Sequence, residues 1–188
     1  MQPWSVTCLV IALAAAAHAL PGHAAEELVV EAERRGDGVE VKARALVAAP
    51  VALAWQVLSD YERLPRFIPG ITRSIVRQRQ GNRMLVDHSG EARFLFFSFP
   101  IEVTLEVLES PLDWIESRSV AGNVRRMSGR YDLSPDPERG GMRLRYWGLI
   151  EPDFDLPPII GAAALRSTVE EQFMAMVAEI ERRAAAGK

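Results

Sequence analysis

Cysteine, histidine and lysine are nearly missing from this chain. Cys8 is its one cysteine, His18, His23 and His88 are its three histidines, and Lys42 and Lys188 its two lysines. Cys8 and two of the histidines fall within the first 25 residues, which carry no charged side chain. Residues 8–17 form an apolar run of signal-peptide length, short of the roughly 20 residues a membrane helix needs. Small residues follow at Gly22, Ala24 and Ala25, so cleavage after Ala24 or Ala25 is expected, with a periplasmic or secreted product. The leader lacks Lys or Arg, and an uncleaved anchor or an N-terminal core helix is the alternative. Thr7 before Cys8 is a poor lipoprotein context.

Beyond the leader there is no cysteine and one histidine, His88. Disulfides, cysteine nucleophiles, cysteine-rich zinc sites and multi-histidine metal sites are excluded, so neither a metal nor a cofactor is expected. Lysine-based covalent chemistry is disfavoured, because Lys42 sits in a strand-like stretch and Lys188 is the last residue. No Gly-x-Ser-x-Gly elbow exists to support a hydrolase triad. A net charge of −3 and a pI near 5.7 argue against a nucleic-acid partner. What is present is globular: 48% hydrophobic and 25% charged residues, with no internal repeat or low-complexity linker. Residues 26–188 are expected to form one domain, acting as a monomer.

The mature chain opens with two strands within 28–47, joined by a turn at Gly36-Asp37-Gly38. Pro50 suits the first turn of a helix over 51–59, with Val51, Ala54, Trp55 and Leu58 on one face. Asp60 is placed to cap a second short helix, which Pro65 and Pro69 limit. Strands are expected near 71–79, 83–93, 96–108, 114–120, 124–134 and 141–151. Pro157-Pro158 then introduces a long helix, with Leu165, Val169, Phe173, Met176, Val177 and Ile180 at helical spacing. The fold class is therefore α+β: a curved antiparallel sheet wrapped around a long C-terminal helix, with two short helices after the first strands.

The segment Ala49-Pro50 with Trp55 to Ile71 resembles the opening of the START-like (SRPBCC) superfamily, in its polyketide cyclase/dehydrase and coenzyme-Q-binding branch. Gly129-Arg-Tyr131-Asp-Leu133, Leu144-Arg-Tyr146 and Pro157-Pro158 extend the resemblance over about residues 39–183. It implies the helix-grip fold, with an apolar cavity between sheet and C-terminal helix that takes lipids, quinones or polyketides. Tyr131 stands where relatives frequently carry Trp.

Strand parity selects the side chains facing that space. Met127, Tyr131, Leu144 and Tyr146 share inner faces, and Val169, Phe173 and Met176 approach from the helix. Arg125 and His88 are the polar members of inward sets. Arg125 could hold a carboxylate or carbonyl, or snorkel to water. His88 is the one weak catalytic candidate, with a satisfied or bulge-exposed histidine as the alternative. A β-bulge would reverse such assignments. Glu102 and Glu106, and Asp153 and Asp155, are read as solvated. The expected function is non-enzymatic binding or transport of a hydrophobic small molecule, with transient membrane contact compatible. The alternatives are a cyclase, aromatase or dehydrase, and a protein-interaction module with a filled core.

Overall fold

The computed structural model describes residues 27–94, 97–153 and 158–187. The expected leader and the residues Asp155 and Pro157 lie outside them. β1 (Val29–Arg35) and β2 (Gly38–Val47) form the first hairpin, and Gly36 takes φ of +60° in its turn. That left-handed conformation is open to glycine at little cost. Helix α1 (Val51–Leu58) and a 3₁₀ turn (Tyr61–Arg66) follow. The remaining strands are β3 (Ile71–Gln80), β4 (Arg83–Phe94), β5 (Phe97–Ser110), β6 (Trp114–Gly122), β7 (Val124–Asp136) and β8 (Gly141–Pro152). Helix α2 (Pro158–Ala186) ends the fold.

All eight strands lie in one antiparallel sheet, ordered β1-β2-β8-β7-β6-β5-β4-β3. The chain crosses from β2 to the opposite edge through α1 and the 3₁₀ turn. It then returns strand by strand until β8 pairs with β2. The crossing leaves α1 and the 3₁₀ turn closing one end of the concave face, while α2 lies along it. Three long-range hydrogen bonds hold α2 there: Arg166 Nε to the Val30 carbonyl at 2.9 Å, the Ala48 N–H to Glu181 Oε1 at 3.2 Å, and Gln172 Nε2 to the Pro69 carbonyl at 3.0 Å.

Two local expectations change. Asp60 makes no side-chain cap of the 3₁₀ turn; its carboxylate pairs with Arg63 at 3.4 Å and Arg183 at 3.5 Å. Two guanidiniums offer that carboxylate more than a backbone N–H does. In α1 the buried residues are Ala54, Val57 and Leu58, with Val51 and Trp55 half-buried, because the helix packs against both sheet and α2.

The interior has a solid part and a hollow part. Val41, Val47, Met142, Leu144, Phe173, Val177 and Ile180 are almost fully buried where β2 and β8 meet α2. The hollow part lies toward β3–β7 and the 3₁₀ turn.

Candidate functional site

Two cavities occupy the hollow part, of about 150 Å³ and 140 Å³. The first is walled by β4, β5, the ends of β7 and β8, and α2, including Ile101, Val103, Val124, Ile150, Leu165 and Val169. The second runs under the 3₁₀ turn, between Leu58, Tyr61, Leu64 and Ile68 on one side and Leu105, Ile115, Tyr131, Tyr146 and Met176 on the other. Ile71, His88, Met127 and Gln172 line both, so these four side chains form the partition. Together the cavities approach the roughly 300 Å³ at which small-molecule sites begin.

His88 stands on β4 opposite Ser74 of β3. Its Nε2 is shut away from solvent and has no hydrogen-bond partner among the described residues, and the same holds for Ser74 Oγ. Burial lowers the pKa of His88 against a weaker opposing pull from Asp87, so the imidazole favours its neutral form. Asp87 itself faces the outer side, taking hydrogen bonds from Arg77 at 2.5 Å and Thr104 at 2.9 Å.

Tyr131 and Tyr146 face each other across β7 and β8, with ring centroids 4.8 Å apart and planes tilted by 42°. Gly129 and Gly148 are also directly paired, and the Tyr146 ring lies over both. A Cβ at Gly148 would stand 2.8 Å from Tyr146 Cζ, so a side chain there would evict the ring. Burial raises both phenol pKa values, that of Tyr146 to about 12, and both hydroxyls stay protonated. Tyr61 closes the other wall and donates its hydroxyl to Glu109 at 2.7 Å, with Arg79 3.8 Å from the other carboxylate oxygen. Burial, then this bond, raise the Tyr61 pKa.

Met127, Tyr131, Tyr146, Val169 and Met176 all line a cavity, and Met127 borders both. Leu144 and Phe173 belong to the solid core instead, at 0% and 1% exposure. Arg125 corrects the parity reading. The β7–β8 register shifts between Val124 and Arg126, and the bulge turns Arg125 outward, 3.8 Å from Asp37 and 3.9 Å from Asp153. Val124 takes the wall position. Gln172 escaped the sequence reading because it sits at the edge of the apolar stripe, among Glu170 and Glu171. Its spacing of four from Thr168 and Met176 is the signal that could have found it.

Among the described residues, no three His, Cys, Asp or Glu side chains are grouped to hold a metal, and no helix is long and apolar enough to cross a membrane.

A curved antiparallel sheet gripping a long C-terminal helix over an apolar cavity defines the START-like helix-grip class. Residues 47–177 match the family described as polyketide cyclase/dehydrase and lipid transport, and the chain belongs to it. Solved structures similar to it include Zhui aromatase/cyclase from Streptomyces sp. R1128, at 20% identity and a TM-score of 0.64, covering 78% of this chain and 95% of that one. Another is a STAR-related lipid transfer protein from Xanthomonas axonopodis, at 15% identity and 0.65, covering 83% and 94%. A third is a START superfamily protein from Mycobacterium smegmatis, at 16% identity and 0.61, covering 79% and 99%. At these identities the likeness is one of fold. No curated protein matches the chain in sequence.

Proposed function

We propose that this protein is a non-enzymatic binder or carrier of a hydrophobic small molecule, lipid-, quinone- or polyketide-like, held between the sheet and α2. The observation that carries the reading is the pair of adjoining cavities, walled mainly by Ile, Val, Leu, Met and Tyr side chains. Nε2 of their one imidazole has no hydrogen-bonded acid or base beside it among the described residues, which supports binding over proton transfer. On this reading the apolar N-terminal segment exports the carrier to the periplasm or outside the cell, where a water-insoluble molecule needs an escort. A cyclase or dehydrase is the second reading, and the position of His88 in the cavity wall is what favours it. Titration with a fluorescent lipid or quinone analogue tests the proposal. Saturable 1:1 binding, competed by unlabelled apolar molecules, is expected; no saturable binding would point to a filled interaction module.

A further inference from the structure

The described walls of the two cavities hold no arginine or lysine, and their one carboxylate is Glu91. Arg125, the cation that strand parity places inside, is turned out by the β7 bulge. An anionic head group enclosed there would lose its hydration and meet no counter-charge. The partition nevertheless carries polar atoms. Gln172 commits its amide N–H to the Pro69 carbonyl, which leaves its own carbonyl oxygen for other partners. His88 Nε2 is buried and has no hydrogen-bond partner among the described residues. A buried nitrogen in that state is destabilising until something bonds it. Ser74 Oγ, directly across the strand pair, is equally without a partner among the described residues.

We infer that the cavity takes an uncharged, largely apolar alcohol or phenol, whose single hydroxyl bonds His88 Nε2 at the partition while its hydrocarbon frame fills the lobes on either side. This rests on the binding reading above and adds to it the charge and the polar group of the ligand. A hydroxyl fits the partition better than an ether or a carboxylate. It brings a hydrogen to acceptor atoms, and it needs no cation. Burial favours the neutral imidazole, taken here as its Nδ1–H tautomer, in which Nε2 is the acceptor.

The test compares three bicyclic probes of similar size: 2-naphthol, 2-methoxynaphthalene and 2-naphthoate. Each is titrated into the untagged protein while the imidazole nitrogens are followed by long-range nitrogen–proton NMR. The His88 signal is assigned by its loss in His88→Gln. In the parent, 2-naphthol is expected to bind about 2- to 10-fold more tightly than 2-methoxynaphthalene, the worth of one neutral hydrogen bond. Naphthoate is expected to bind most weakly, and the Nε2 resonance to move with 2-naphthol alone. His88→Phe is expected to erase the preference for naphthol over its ether; the parent NMR result does not depend on how well that variant folds. Equal binding of naphthol and ether with an unmoved Nε2 would overturn the inference and leave the binding reading standing. Tightest binding by naphthoate would overturn it by charge. A hydrogen-bonded Nε2 in the ligand-free protein that is released in Ser74→Ala, with no response to naphthol, would give the site to Ser74. No saturable binding of any probe would overturn both readings together.

Discussion

The ring of Tyr146 lies over Gly148, two residues further along the same strand, and a Cβ there would stand 2.8 Å from Cζ of the ring. The ring is therefore held against the sheet by an absence of side chain, and its hydroxyl end is free to swing if that space is filled. Gly148→Ala is expected to drive Tyr146 toward the cavity. Ligand affinity should fall about 10-fold or more, while stability changes by about 1–3 kcal/mol, the usual cost of an overpacked site. Urea unfolding beside a ligand titration separates the two effects. Unchanged affinity would mean that Tyr146 does not bound the ligand space.

Met176 projects from α2 into the cavity beneath the 3₁₀ turn. Met176→Trp places a larger ring into existing space, so thermal stability should change by less than about 1 kcal/mol while ligand binding is lost. A filled core would instead be destabilised by about 1–3 kcal/mol.

Tyr61 donates a side-chain hydrogen bond to the buried carboxylate of Glu109, at 2.7 Å. Tyr61→Phe removes that donor and leaves the more distant Arg79, 3.8 Å away. A loss of about 1.5–3 kcal/mol is expected from urea unfolding, as for a hydrogen bond to a charged group. Glu109 would then be held less firmly beside the 3₁₀ turn, and a neutral result would show that water replaces the phenol.

The pH dependence of stability carries the signature of His88. Its pKa is lowered in the folded state, so below about 6.5 the unfolded chain binds the proton more readily. Stability from this group is complete above that pH and falls as the pH drops through 6.5, levelling off below the folded-state value. His88→Gln is expected to flatten the slope just below pH 6.5. An identical slope in both proteins would mean that the ring titrates as freely in the fold as out of it. At lower pH a second loss is expected from Glu179. Hydrogen bonds from Arg182, and then Arg183, hold its pKa near 2, so its contribution is present above about 4.5 and declines toward 2.

Much of this was legible in the sequence, because strand alternation is a local signal. Met127, Tyr131 and Tyr146 alternate with charged neighbours and do line the cavities. Arg125 shows where the signal stops. One extra residue in β7 reverses the side chain, and nothing in Asn-Val-Arg-Arg-Met announces it. Leu144 shows the same strand alternation, and Phe173 the same helical spacing, as the residues that do line a cavity. Whether an inward side chain meets a void or a neighbour depends on how α2 sits, which long-range bonds such as Gln172 to Pro69 determine. The orphaned Nε2 of His88 was equally invisible, since it depends on what β3 places opposite.

The proposed cleavage of the N-terminal segment has its own check. N-terminal sequencing of protein recovered from its native envelope should begin at Ala25 or Glu26. Retention of Met1 would make residues 8–17 an anchor.

The most direct measurement is native mass spectrometry of the protein purified gently from its own cells. A 1:1 adduct that is lost on denaturation, and that extracts into organic solvent as an uncharged hydrophobic molecule, is expected. Protein that carries only its own mass, and that then fails to bind any apolar probe saturably, would contradict a ligand-holding cavity.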